Sequence, residues 1–82
     1  MTEKILAEEL RKRYDRAKRN QTILEIDLYG IEYGTTIRQK NYSIKRIVKM
    51  SGIGESYITE VSKAIKLSEY VTIQNKEGEI EK

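Results

Sequence analysis

The 82-residue sequence contains neither cysteine nor histidine, and it also lacks tryptophan. Without cysteine and histidine, the chain has no means of forming a disulfide, a Cys/His zinc site, a Cys or His haem ligand or the nucleophile–imidazole pair of many hydrolases. An enzyme built from this sequence would depend on carboxylate, Lys, Ser or Tyr chemistry, and no paired or glycine-rich site stands out. We therefore expect a protein that is not an enzyme and that binds neither a metal ion nor another cofactor.

A long apolar run is also missing at the start of the chain. The first twenty residues contain seven basic and four acidic side chains, too many charges for a signal peptide or a membrane-spanning helix. We expect a cytoplasmic protein that does not bind membranes, in a compartment where disulfides are not needed. A chain of this length makes one domain, residues 1–82, and buries only about 60% of its unfolded surface, which leaves room for a dimer interface or another partner surface.

The charge is unevenly distributed along the chain. The formal net charge is +3 and the pI is about 9.2, a basic balance that suits nucleic acid without requiring it. Between residues 35 and 50 there are five basic side chains and no acidic one, whereas residues 68–82 have a net charge of −2. The basic segment favours contact with phosphates, and the acidic C-terminal segment favours contact with a protein.

The segment 43–67 has the pattern of two helices joined by a tight turn. We predict a first helix over residues 43–50, with Ser43 as its N-cap, and a second helix over residues 55–67. Between them, Gly52 falls where the turn needs a positive φ, which glycine adopts freely. This is the layout of a helix-turn-helix.

The apolar pattern of the same segment supports this assignment. Apolar residues occupy the inward-facing positions of both helices and the position that closes the turn: Ile47, Val48, Ile53, Ile58 and Val61. Ser51 departs from the pattern because an apolar residue is usual there, and we expect Met50 to fill that space. The assignment rests on the cap, the turn glycine and the apolar positions together.

The phrase SIKRIVKMSGIGESYITEVSKAIKL, residues 43–67, resembles the helix-turn-helix of prokaryotic DNA-binding proteins. Within it, the triplets at 56–58 and 65–67 are similar to the motif of plasmid partition proteins that bind centromere DNA. With the C-terminal segment, the chain also resembles a winged-helix regulator. The resemblance covers residues 43–67 closely and residues 22–82 only in architecture, and it implies that the second helix enters the DNA major groove.

Residues 2–19 form a predicted amphipathic helix with Thr2 as its N-cap. Its apolar stripe is narrow: Leu6, Leu10, Tyr14 and Ala17. Its basic face suits a solvated surface better than a phosphate-contacting arm, because acidic residues dilute the charge. The stripe either covers the core or pairs with a second subunit, and we expect a homodimer with this helix as its candidate interface.

Residues 22–34 fit two patterns. Alternation of Leu24, Ile26 and Leu28 with acidic residues is typical of a strand, whereas Leu24, Leu28 and Ile31 share one face of a helix. We favour the helix, because a helix-turn-helix needs a third helix to close its core. Gly34 is the predicted end of this helix, and residues 35–42 are a predicted connection that includes a short strand.

Residues 69–82 alternate in polarity on either side of a turn, which predicts a β-hairpin. A hairpin that follows the second helix of a helix-turn-helix is a wing. The predicted fold is therefore mainly α with a small β-hairpin: an N-terminal helix over 1–20, a three-helix core over 22–67 and a wing over 69–82. The acidic side chains of the hairpin make it a candidate contact for a protein partner.

If the resemblance holds, two groups of residues contact double-stranded DNA. The base-contacting group lies on the outer face of the second helix: Ser56, Thr59, Glu60 and Lys63. The phosphate-contacting group lies before and around it: Arg38, Lys40, Lys45, Arg46, Lys49, Gly54 and Lys76. Glu55 and Glu60 are awkward, because carboxylates repel phosphate, although a Glu can accept a hydrogen bond from cytosine.

These residues imply a sequence-specific DNA-binding protein, such as a small transcriptional regulator or a plasmid or phage accessory factor for partition, transfer or replication. The alternative is a protein–protein interaction module on the same fold, which the acidic C-terminal segment favours.

Overall fold

The computed structural model describes residues 1–70, which form four α-helices and one 3-10 turn. In chain order these are α1 (Glu3–Arg16), α2 (Thr22–Gln39), α3 (Ile44–Ser51), the 3-10 turn (Glu55–Tyr57) and α4 (Ile58–Leu67). The predicted mainly helical fold is confirmed for these residues. Glu69 and Tyr70 form a turn after α4, and the rest of the predicted hairpin lies outside the described residues. None of these helices is long and apolar enough to cross a membrane.

Helix α1 begins at its predicted cap and buries its apolar stripe in the core of its own chain. The Thr2 hydroxyl accepts a hydrogen bond of 3.1 Å from the backbone N–H of Ile5. Leu6, Ala7 and Leu10 are buried. The stripe that we considered as a dimer interface therefore packs within the monomer, and the exposed large apolar side chain of this helix is Ile5.

Helix α2 confirms the helical alternative for residues 22–34, but two predictions about its end are wrong. Gly34 lies inside the helix, and the predicted connection contributes five more residues before the helix ends at Gln39. Ile37 is buried, so packing against the core stabilises this extra turn and a half. A short strand does not form within residues 35–42, where the backbone passes from α2 into a turn.

The two glycines of α2 serve a close approach to α4. A methyl group at Gly30 would overlap the Ala64 side chain and lie 3.0 Å from the Ala64 carbonyl carbon, and a methyl group at Gly34 would lie 2.7 Å from the Ser68 Cβ. Gly30 meets Ala64, and Gly34, four residues later, meets Ser68, four residues after Ala64. Helices α2 and α4 therefore run in the same direction. Small residues four apart on each helix let the backbones meet, and α2 and α4 form the most extensive helix pair of the domain.

The α3–turn–α4 segment has the predicted helix-turn-helix geometry. The Ser43 hydroxyl accepts a hydrogen bond of 3.1 Å from the Arg46 backbone N–H, which confirms the N-cap. Gly52 ends α3 with φ of 77°, in the left-handed region that favours glycine. Ile53, which follows it, is buried. Helix α3 is displaced by one residue from its predicted bounds. The second helix, predicted over residues 55–67, begins as a 3-10 turn over Glu55–Tyr57 and is α-helical only over Ile58–Leu67.

Ser51 takes the buried position that we assigned to Met50, so that prediction is wrong. The Ser51 hydroxyl donates a hydrogen bond of 2.6 Å to the Val48 carbonyl and accepts one of 3.4 Å from the Ile53 backbone N–H. A buried hydroxyl that makes both bonds carries little desolvation cost. Met50 is 47% exposed, since it lies on the solvent side of α3.

A single core lies between the four helices. Its largest fully buried side chains come from every helix: Leu6, Leu10, Ile26, Tyr29, Ile47, Val48 and Val61. The Tyr29 hydroxyl donates a hydrogen bond of 2.8 Å to the Leu6 carbonyl, which satisfies the one polar atom that this side chain brings into the core. Helix α1 thereby joins α2 and covers the side of α3 that faces inward.

Candidate nucleic-acid interface

The outer face of α4 and the turn before it present hydroxyl and ammonium groups away from the core. Ser56, Thr59 and Lys63 are exposed, as predicted for base-contacting residues. Thr59 and Lys63 line a shallow open groove together with Ser62 and Lys66. The inward face of the same helix buries Val61, Ala64 and Ile65. Hydroxyl and ammonium groups are suitable donors for base edges and for phosphate oxygens.

The start of this helix is held against α1 by an aromatic contact. Gly54 has φ of 112° and is exposed, and it leads into the 3-10 turn that precedes α4. The Tyr57 ring in that turn packs edge-on against the Tyr14 ring of α1, with 5.6 Å between the ring centres. The aromatic contact ties the first turn of the outward-facing helix to α1, which belongs to the rigid core.

Two lysines of α3 lie beside the outward-facing helix. Lys45 and Lys49 are exposed and one helical turn apart. Lys49 reaches toward the turn, where its Nζ atom is 3.9 Å from the Glu55 carboxylate, and it lines a small groove with Gly52 and Gly54. A surface pair at this distance is weak, so Lys49 remains available to a phosphate.

Arg46 faces the other side of α3, toward α1. Its guanidinium lies 3.0 Å from the Glu3 carboxylate, whose other oxygen accepts a hydrogen bond of 2.7 Å from the Ser43 backbone N–H. The hydrogen bond from Ser43, and then the one from Arg46, lowers the pKa of Glu3. The predicted phosphate-contacting role of Arg46 is therefore shared with a structural one, since Arg46 and Glu3 join α1 to the start of α3.

Arg38 is placed at the C-terminal end of α4 and away from its start. Its guanidinium donates hydrogen bonds to the Ile65 carbonyl at 3.3 Å and to the Ser68 hydroxyl at 2.8 Å. These bonds satisfy groups at the helix terminus, where a cation is also favoured by the helix dipole. The structure thus engages Arg38 in helix capping, whereas we predicted a phosphate contact. Lys40 is exposed just after α2, and Lys76 lies outside the described residues.

The two glutamates that we considered awkward have different surroundings. Glu55 is exposed at the turn. The side chain of Glu60 is only 18% exposed, compared with 61% for Lys63, and its carboxylate lies 3.2 Å from Lys63 Nζ. Glu60 also faces Asp27 of α2. The structure therefore turns Glu60 toward α2, and it does not bring Glu60 onto the open face with Ser56 and Thr59.

Three residues at or behind this surface were not predicted from the sequence: Ser62, Lys66 and Asp27. Ser62 and Lys66 line the α4 groove, and their helical spacing from Thr59 and Lys63 could have identified them. Asp27 is one of the acidic residues that alternate with Leu24, Ile26 and Leu28, and it was not singled out because its position opposite Glu60 depends on how α2 packs against α4. Within residues 1–70, no three carboxylates come together in a way that could hold a metal ion.

Residues 2–74 match a family model described as an HTH-like domain. The chain belongs to this HTH-like domain family. The match covers the four helices described above, and the helix-turn-helix over α3 and α4 has the geometry that the family name denotes. A helix-turn-helix is, in general, a DNA-binding motif. No curated protein and no solved structure matches the chain significantly.

Proposed function

We propose that this HTH-like domain is a sequence-specific double-stranded DNA-binding protein that inserts α4, together with the 3-10 turn before it, into the major groove. The observation that carries the proposal is the outward face of α4, where Thr59, Ser62, Lys63 and Lys66 form one groove that the core does not use. A second helix that is exposed along its whole outer face and held at a fixed angle to the first suits the dimensions of the major groove.

The lysines beside this face supply the phosphate contacts of the proposal. Lys45 and Lys49 lie on the helix that crosses the DNA backbone in this type of motif. In residues 1–70, Lys45 and Lys66 have no acidic side chain within ion-pair distance. Their charges are therefore available to neutralise phosphates. Neutralisation of phosphates supplies a large part of the affinity of most DNA-binding proteins.

The biological setting that suits a small protein of this kind is a transcriptional regulator, or a plasmid or phage accessory factor for partition, transfer or replication. We also propose that it acts as a homodimer on two half-sites about one helical turn apart. Exposed Ile5 on α1, together with exposed Ile23 and Leu24 at the start of α2, leaves apolar surface for such an interface.

Selection of bound duplexes from a random pool tests the proposal and defines the target. Thr59→Ala and Lys63→Ala should each weaken binding to the selected duplex by about tenfold, because one good base or phosphate contact is worth roughly 1–3 kcal/mol. Lys12→Ala is the matched control, because Lys12 is an exposed lysine of α1. Normal binding by both α4 variants would show that this helix does not contact the DNA.

A protein-interaction module is the second candidate, and one observation favours it. Ile23 and Leu24 are 48% and 51% exposed as neighbours at the start of α2, an apolar surface on which a protein partner could pack in place of a second copy of this chain. If the protein binds no duplex even at low salt, where phosphate contacts are strongest, this second function replaces the first.

A further inference from the structure

Two carboxylates meet at the packed interface between α2 and α4, directly behind the proposed DNA-contacting face. Asp27 Oδ1 and Glu60 Oε2 are both enclosed by protein, and neither accepts a well-formed hydrogen bond from an N–H or O–H group of residues 1–70. Lys63 Nζ lies 3.2 Å from Glu60 Oε2 as an ion pair. Two enclosed carboxylate oxygens without such a donor satisfy each other only if one of the carboxyl groups is protonated.

The packing prevents the two groups from moving apart. One helical turn further along, Gly30 and Ala64 bring the α2 and α4 backbones so close that not even a methyl group fits between them. The packed backbones of α2 and α4 therefore hold Asp27 and Glu60 at facing positions. Burial, and then the hydrogen bond to Glu60 and the charge of Glu60, raises the pKa of Asp27 to about 6. The neutral Asp27 carboxyl donates its proton to Glu60, and this hydrogen bond lowers the pKa of Glu60.

Lys63 links this pair to the DNA-contacting face. In residues 1–70, the charged groups that act on the pair are Asp27, Glu60 and Lys63 themselves. With the proton present, one carboxylate balances the Lys63 ammonium. Without it, a second carboxylate leaves one uncompensated negative charge beside the groove that faces phosphates. Binding of a polyanion favours the protonated form, and by linkage protonation favours binding to the same extent.

We propose that Asp27 is a positioning residue for DNA binding: through a proton shared with Glu60, it holds the Lys63 ion pair on the outer face of α4 and makes DNA binding take up a proton. This inference rests on the proposed function. In this arrangement Glu60 holds Lys63 from behind the DNA-contacting face and does not itself contact a base. Its partner in this role, Asp27, lies on a helix that touches no DNA in the proposed complex.

The test is the pH profile of DNA affinity. Fluorescence anisotropy with a labelled pool of random-sequence duplex at low salt would be recorded from about pH 5 to about pH 8, since a single linked proton changes affinity by at most about tenfold per pH unit. Wild-type affinity should fall severalfold as the pH rises above 6. Asp27→Asn keeps the side-chain shape but cannot ionise, so its profile should lose this fall. Asp15→Asn removes the same charge from exposed α1 and should keep the wild-type profile.

The outcomes separate the inference from the function on which it rests. Equal pH slopes for wild type and Asp27→Asn would overturn the inference and leave DNA binding intact. No binding at any pH would overturn both. If Asp27→Asn does not fold, as judged by circular dichroism, Glu60→Gln removes the other carboxylate and should likewise flatten the profile. A purely structural role for either residue would lower affinity equally at every pH.

Discussion

Gly52 fixes the angle between the two helices of the motif through a single backbone conformation. Its φ of 77° lies in the left-handed region, which costs an L-residue with a side chain about 1–2 kcal/mol. Gly52→Ala should therefore lower the free energy of unfolding by about that amount in urea denaturation, and Gly52→Val by more. A Cβ atom there meets only the end of the long Arg11 side chain, at 3.1 Å, so backbone strain is the main cause. Gly52→Asn is the control, because Asn tolerates this conformation better, and an equal loss for Asn and Ala would contradict the explanation.

Asp27 makes the stability of the fold depend on pH in a defined direction. Because its pKa is raised from 3.8 to about 6, the folded state binds the proton more tightly than the unfolded state does. The resulting stabilisation is complete below about pH 4 and is lost as the pH rises through 6. We expect Asp27→Asn to raise the melting temperature relative to wild type more at pH 7 than at pH 4, as measured by circular dichroism. A difference between the two proteins that does not change with pH would contradict this expectation.

Local chemistry was predictable at some of these residues and not at others. Thr2 and Ser43 cap helices, and Gly52 makes the turn. Each of these roles depends only on residues nearby in the sequence, so a short pattern identifies it. Arg38 and Asp27 are different. Their partners, Ser68 and Glu60, lie some thirty positions away in the chain, at the C-cap of α4 and on α4. Only the packing of α2 against α4 brings those partners near.

At the scale of elements, the pairing of α2 with α4 determines most of the domain. Gly30→Ala should lower the free energy of unfolding by about 1–3 kcal/mol through overpacking, although alanine favours a helix over glycine by about 1 kcal/mol. The clash is with Ala64, so Ala64→Gly in the same chain should recover part of the loss. Gln39→Ala, at an exposed position of the same helix, is the control and should be nearly neutral. Unchanged or higher stability of Gly30→Ala would show that the helices can separate at little cost.

The same pairing explains why the end of α2 was mispredicted. Gly30 and Gly34 weaken an isolated helix, and this local preference suggested that the helix stops at Gly34. In the folded chain the two glycines are matched by Ala64 and Ser68, and the contact between backbones outweighs the helix propensity. The small-residue spacing on both helices was visible in the sequence, but nothing local indicated that the two spacings face each other.

For the molecule as a whole, α1 and α2 form a support that holds α3 and α4 and leaves the outer face of α4 open. Two contacts join this support to the motif: the Glu3–Arg46 pair links α1 to α3, and the Tyr14–Tyr57 contact links α1 to the turn before α4. Within the support, the hydrogen bond from Tyr29 to the Leu6 carbonyl links α2 to α1. The architecture could be predicted because a helix-turn-helix requires such a support. The surface could be predicted only in part, since Arg38 and Glu60 face neighbouring helices.

The charges of the whole interface predict how DNA affinity depends on salt. If Lys45, Lys49, Lys63 and Lys66 each neutralise one phosphate, the slope of log Kobs against log salt concentration should be roughly −3.6 for one protomer and about twice that for a dimer on two half-sites. Titrations with potassium chloride on a duplex with one half-site and on a duplex with two would measure both values. Lys45→Ala should reduce the slope by about 0.9 per protomer, whereas the control Lys12→Ala should leave it unchanged. A slope near zero would show that phosphates do not supply the affinity, and equal slopes on the two duplexes would show that the protein binds as a monomer.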